Sequence, residues 1–187
     1  MENSPPDRSN RGLMVMTSKQ RGVMVGASAA VLTVLLGYTW AAHFGGAYLD
    51  LNGSIECHLK LLATSLMLPA AVQLVCIARL AQHRFLSADD IDGSGLSEGT
   101  PRAKLLQALL QNTLEQLTLA VCVYFFATLT LPSDLLALVP TASCLFFVGR
   151  FFFLLGYAGG APSRAYGFAL TFYSTVILGL IAINSCF

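Results

Sequence analysis

Apolar positions along this chain gather into long runs, with most of the polar residues held between them. Five runs stand out: Val23 to Ala42, Leu59 to Leu80, Leu105 to Leu131, Leu135 to Tyr157 and Tyr166 to Ile183. Each is close to the roughly 20 residues a helix needs to cross a bilayer core of about 30 Å. The connections differ in kind. His43 to His58 is a polar loop with Gly45, Gly46 and Gly53, while Ala81 to Lys104 is the longest, acidic and glycine-containing, and reads as a flexible segment. Pro132-Ser133-Asp134 is a tight turn whose Ser or Asp is placed to cap the next helix. Between Gly159 and Arg164 lies another short turn, where Pro162 stops a continuous helix. Short turns join antiparallel neighbours, so the last three spans are expected to form a compact bundle. The pattern predicts an all-α integral membrane protein with five transmembrane helices.

Composition narrows this further. Hydrophobic residues make up 55% of the 187 and charged residues only 11%, against about 25% charged in an ordinary soluble domain. The formal net charge of +1 leaves no basic surface that suggests nucleic acid and no acidic surface that suggests a cationic partner. The first run is too long for the core of a cleaved signal peptide, so it reads as a retained helix behind a polar segment, residues 1–21. Basic residues set the orientation. With five spans, Arg8, Arg11, Lys19, Arg21, Arg84, Arg102, Lys104 and Arg164 share one side, with Arg79 and Arg150 near it, and the other side has only Lys60. That asymmetry puts the N-terminus in the cytoplasm and the C-terminus outside or in a lumen. Four or six spans would scramble it.

Some features invite over-reading. Asp90, Asp92, Ser94 and Gly95 match the opening of an EF-hand loop, but the twelfth position, which must supply a bidentate Glu, is Pro101. Glu56, Cys57 and His58 are adjacent metal-ligand types, yet consecutive residues point in different directions. No metal site is expected. Five cysteines cannot all pair. Cys76, Cys122 and Cys144 sit inside apolar runs, and only Cys57 and Cys186 lie at segment ends where they could meet.

The third span carries Gln107, Gln111, Asn112, Glu115 and Gln116. Glu115 lies about 15 Å along it from Leu105, near mid-bilayer, where a carboxylate costs roughly 2.5–3.5 kcal/mol and must face protein or a wet cavity. Arg150 on the fourth span falls at comparable depth, so an Arg150–Glu115 pair, with Asn112 beside it, is expected. Two readings stay open at this point. One is a polar site gripping an anionic amphiphile or peptide-like cofactor; the other is a set of groups that satisfy one another and fix helix register. No Ser/His or Cys/His pair is available for nucleophilic catalysis.

The pattern Asn112-x-x-Glu115, then Arg150, Gly156-Tyr157 and Arg164 resembles the MAPEG family (membrane-associated proteins in eicosanoid and glutathione metabolism), trimeric four-helix membrane proteins. The resemblance covers about Leu59 to Phe187, residues 59–187 as a four-helix domain, with residues 22–58 as an extra helix and outer loop. Leu131-Pro132-Ser133-Asp134-Leu135-Leu136, Leu138-Val139-Pro140, Gly167-Phe168 and Leu170-Thr171-Phe172 look most like the five-span mattrin-like branch, associated with barrier function and vesicle trafficking. The resemblance implies glutathione as cofactor, with Asn112, Glu115, Arg150 and Tyr157 contacting it and Arg164 stabilising its thiolate, in a homotrimer.

Two positions depart from the catalytic pattern. Ala108 replaces an arginine that clamps a carboxylate, and Phe153 replaces a tyrosine near the thiol. Losing a charged hydrogen bond costs about 1.5–3 kcal/mol, so affinity falls by roughly one to two orders of magnitude. Arg102 is a substitute for the missing guanidinium only if the third helix starts before Leu105. The expectation is a weakly catalytic or non-catalytic scaffold or regulator holding a lipid or small amphiphile between helices, with a glutathione-dependent transferase or peroxidase as the alternative.

Overall fold

The computed structural model describes residues 16–47, 54–93 and 95–187; Arg8, Arg11, Gly53 and Ser94, named above, lie outside them. Five long helices carry the chain: α1 (Ser18–Phe44), α2 (Ile55–Leu86), α3 (Pro101–Thr130), α4 (Leu138–Gly156) and α5 (Ala161–Asn184). All five are long and apolar enough to cross a membrane, as the hydrophobic runs predict, and the described residues contain no strand.

Most of the boundaries move outward, because the caps lie in polar sequence. At the start of α1, Thr17 forms a capping box: its hydroxyl accepts from the Gln20 amide, and the Gln20 side chain accepts from the Thr17 amide. Ser54 caps α2 and Thr100 caps α3, each accepting the amide three residues on. The Thr100 cap starts α3 at Pro101, α2 itself runs on to Leu86, and the long connection shrinks to residues 87–100. The start of α4 moves the other way, from the expected Leu135 to Leu138. Its first amides bond to carbonyls of the preceding turn (Leu138 N–H to Leu135 O at 3.0 Å, Val139 N–H to Leu136 O at 3.2 Å). Neither Ser133 nor Asp134 caps it; its N-cap is Ala137, with no side-chain bond.

Helix α5 packs against α1, α3 and α4, and α2 packs against α3 and α4. The α4–α5 contact is as close as two backbones allow. A Cβ on Gly167 would lie 2.3 Å from the Phe153 amide nitrogen, and one on Gly149 would lie 2.4 Å from Thr171 Oγ1. Small residues at helix crossings are the usual means of close approach in a bilayer. The same device seats α1 on α5, where Gly26 faces Ala165 and Tyr166. Thr33 Oγ1 lies 3.2 Å from the Tyr166 hydroxyl, and the Tyr38 hydroxyl donates to the Ser174 carbonyl. The extra helix is therefore built into the bundle.

Pro69 lies inside α2, and with no N–H it leaves the Ser65 carbonyl without its helical partner. Ser143 on α4 donates its hydroxyl to that carbonyl. Water is absent from a bilayer core, so a neighbouring helix must satisfy such a group.

One carboxylate ties the start of the long connection, at Ser87, to its end, at Thr100. Asp90 is buried and accepts from the Thr100 amide and hydroxyl, both at 2.7 Å, and from the Ser87 hydroxyl at 2.9 Å; His83 Nε2 also lies 2.9 Å away. Hydrogen bonds from Thr100, chiefly its amide, hold the carboxyl down to about 2. The residue that opens the EF-hand-like stretch thus acts as a staple between α2 and α3. Among the described residues no group of three metal-ligand side chains forms. Glu56 pairs with Lys60 at 2.6 Å, while His58 turns back to the Ser54 carbonyl. Cys57 and Cys186 are both free thiols.

Candidate functional site

The polar residues singled out on α3 divide between two faces. Leu109, Thr113, Gln116 and Ala120 form its buried stripe. Glu115 is two residues from Thr113, about 200° around the helix, so it projects from the opposite side. There its Oε1 accepts from Gln111 Nε2 at 3.0 Å, and both residues are exposed on the chain's surface. The expected Arg150–Glu115 pair does not form.

Arg150 is instead wholly buried, with 0% of its surface exposed. Its Nη1 donates to Asn112 Oδ1 at 2.8 Å and its Nε to Thr171 Oγ1 at 3.1 Å. The Phe153 ring lies under the guanidinium at 4.2 Å from its centroid, a favourable place for a cation with no carboxylate bonded to it. Nη2 has no hydrogen-bond partner among the described residues. The backbone contact at Gly149 and Gly167 brings Thr171 within reach.

From Phe153 the aromatic path continues. Its ring meets Tyr157 edge-on at 5.3 Å, and Arg164 sits over the Tyr157 ring at 4.4 Å. Tyr157 opens the short 3₁₀ turn Tyr157–Gly159. Gly160 follows with φ 90, and Arg164 falls in the first turn of α5, where its amide bonds the Gly160 carbonyl. The sequence order Arg150, Phe153, Tyr157, Arg164 thus becomes a stack of guanidinium, ring, ring and guanidinium.

Beside this stack lies a cavity of about 320 Å³, lined by Val23, Asn112, Phe153, Tyr157, Ala161, Arg164, Ala165 and Phe168. The structure brings Asn112, Tyr157 and Arg164 together there. It leaves Arg150 behind Asn112 and Glu115 on another face. Because Arg150 needs an acceptor, it fixes the Asn112 carboxamide with Oδ1 inward and the Nδ2 donors free for the cavity. Sequence reasoning missed Val23 and Thr171, which meet the site only through long-range packing.

Ala108 lines a different cavity of about 420 Å³ with Arg84, Lys104, Gln107, Gln111 and Glu98. Arg84 Nη2 donates to Gln107 Oε1 there at 3.0 Å. Helix α3 does begin early enough to include Arg102, but Arg102 is six residues from Ala108 and lines a third cavity. Lys104, one turn away, is the cation that shares Ala108's face.

An all-helical polytopic membrane protein with a polar pocket at one end of its bundle is the class these features define. The MAPEG family description matches residues 60–184, from α2 through the end of α5. The chain belongs to the MAPEG family, and α1 lies outside the matched region. Comparison with curated proteins and with solved structures finds no match.

Proposed function

We propose that this protein is a five-span MAPEG member of the mattrin-like branch. On this reading it is a membrane scaffold or regulator, of the trafficking or barrier type, that holds a lipid or small amphiphile in the cavity beside Arg164. The carrying observation is the cavity's lining. Arg164, Tyr157 and the Asn112 donors form one polar end, while Val23, Phe153, Ala165 and Phe168 form apolar walls. Such a site suits one anionic group on an apolar body.

The residues fit glutathione poorly. The tripeptide carries two carboxylates and an ammonium, whereas the cavity offers one guanidinium and no carboxylate. Ala108 supplies nothing, and Phe153 spends its ring on Arg150. The alternative, a glutathione-dependent transferase or peroxidase on hydrophobic substrates, draws on Arg164, whose guanidinium faces the same cavity and suits a thiolate.

Homotrimer formation is part of the proposal. Glu115 lies midway along the 30-residue α3 and is exposed with Gln111. Facing lipid there costs roughly 2.5–3.5 kcal/mol, which favours cover by another copy. The excess of Lys and Arg at the end holding Arg84, Arg102, Lys104 and Arg164 supports a cytoplasmic location for that end, and so for the N-terminus.

The test compares a fatty-acyl carboxylate with its uncharged methyl ester, each titrated into purified protein in detergent. The carboxylate is expected to bind about tenfold more tightly, with the difference lost in Arg164→Gln. Equal affinity for the two in the unmodified protein would overturn the reading.

A further inference from the structure

Away from the cavity beside Arg164, two guanidiniums converge between α2 and α3. Arg79, Gln82, His83 and Leu86 of α2, with Arg102 and Leu106 of α3, line a cavity of about 310 Å³. No carboxylate is among these residues. Arg79 and Arg102 are both exposed, and their side chains form no hydrogen bond, ion pair or ring contact with a described residue. His83 differs: its Nε2 is engaged by Asp90 and Thr100, so it is a fixed wall. Asp90, the acid bonded to His83, is shared among Thr100, Ser87 and His83.

Depth says what these arginines meet. The 32 residues of α2 make a helix of about 48 Å, about 18 Å longer than a bilayer core. With that excess divided, each end projects about 9 Å, and Arg79 lies seven residues, about 10 Å, short of the end at Leu86. Arg79 therefore sits where hydrocarbon gives way to headgroups, and Arg102 reaches the same cavity from the first turn of α3. Leu86 and Leu106 supply apolar surface on the same walls.

We propose that this cavity binds the phosphate of an acidic phospholipid. Two guanidinium forks match the oxygens of a phosphate bidentately, and two positive charges match a headgroup that carries negative charge without a compensating amine. The shared chemistry is a phosphate oxyanion; the position at the edge of the hydrocarbon assigns it to a lipid. Basic pockets between spanning helices are a recurring means of headgroup recognition.

The experiment measures the melting temperature of the full chain in neutral detergent during titration with phosphatidylglycerol, phosphatidylcholine or inorganic phosphate. Phosphatidylglycerol is expected to raise it saturably, the other two not. In R79Q/R102Q the half-saturating lipid concentration is expected to rise about tenfold or more, with R21Q, a charge on α1, unchanged. Should the double variant fail to fold, R102Q alone carries the test, since Arg102 is exposed at a helix start. An unshifted response in these variants would overturn the proposal. So would an equal response to phosphatidylcholine, saturation by inorganic phosphate alone, or displacement of the lipid by glutathione.

Discussion

Removing the Ser143 hydroxyl should expose the defect that Pro69 creates in α2. In Ser143→Ala the Ser65 carbonyl loses the donor that replaces its missing helical bond. Buried polar groups left unsatisfied cost about 1–3 kcal/mol, but interhelical hydrogen bonds in bilayers average only about 0.6 kcal/mol and reach about 1.7. The low average arises because a detached helix finds other partners for its polar groups. Here the detached helix cannot, since Pro69 lacks the N–H in either state. The expected cost is therefore near the upper figure, about 1–1.7 kcal/mol. Pro69→Ala restores the N–H, so Ser143→Ala in that background should cost under about 0.5 kcal/mol. The assay is unfolding in mixed micelles by rising dodecyl sulfate fraction, followed by far-ultraviolet circular dichroism, as a double-mutant cycle. Additivity of the two changes within about 0.3 kcal/mol would refute the reasoning, because the serine would then be acting independently of the proline.

Other outcomes follow from the same geometry. Gly167→Ala places a Cβ 2.3 Å from the Phe153 amide nitrogen; it should cost about 1–3 kcal/mol in the same assay and weaken ligand binding, and a stable variant with intact binding would contradict the α4–α5 packing. Asn112→Ala should cost about 1.5–3 kcal/mol by leaving Arg150 Nη1 bare, whereas Glu115→Gln should change the unfolding of the isolated chain by less than about 0.5 kcal/mol; the reverse order would restore the Arg150–Glu115 pairing. Asp90 has a folded pKa of about 2, below the ordinary carboxylate value of about 3.9. Its contribution is present above the higher value and lost as pH falls through the lower. The protection factor of the Thr100 amide, its exchange rate set against the intrinsic rate at each pH, should thus hold between about pH 7 and 5 and fall only between about pH 4 and 2, with Asp90→Asn already unprotected at about pH 7. Loss of protection already above about pH 5 in the unmodified chain would contradict the Asp90 staple.

Spans were legible because a bilayer core demands an unbroken apolar run, and little else produces five of them in one chain. Where α2 ends and α3 begins was not, since Gln82, His83, Arg84 and Arg102 continue their helices beyond any apolar run. The polar site was legible in depth: Asn112 and Arg150 do meet. The wrong carboxylate partner came from arguing depth without azimuth. The stripe Leu109, Thr113, Gln116, Ala120 was readable from helical period alone, and it puts Glu115 on the far side. Arg102 failed as a substitute for the guanidinium missing at Ala108 for the same angular reason. Val23, Thr171 and the Ser143–Ser65 bond depend on which helices neighbour one another, and local pattern carries no information on that.

The most direct test of the central claim is a glutathione titration of the purified, folded protein in detergent, read by thiolate absorbance and by conjugation of a generic electrophile. A scaffold or regulator with an amphiphile pocket should give neither a saturable thiolate signal nor turnover. Saturable thiolate formation with turnover that disappears in Arg164→Ala would contradict it and make the protein a glutathione-dependent enzyme.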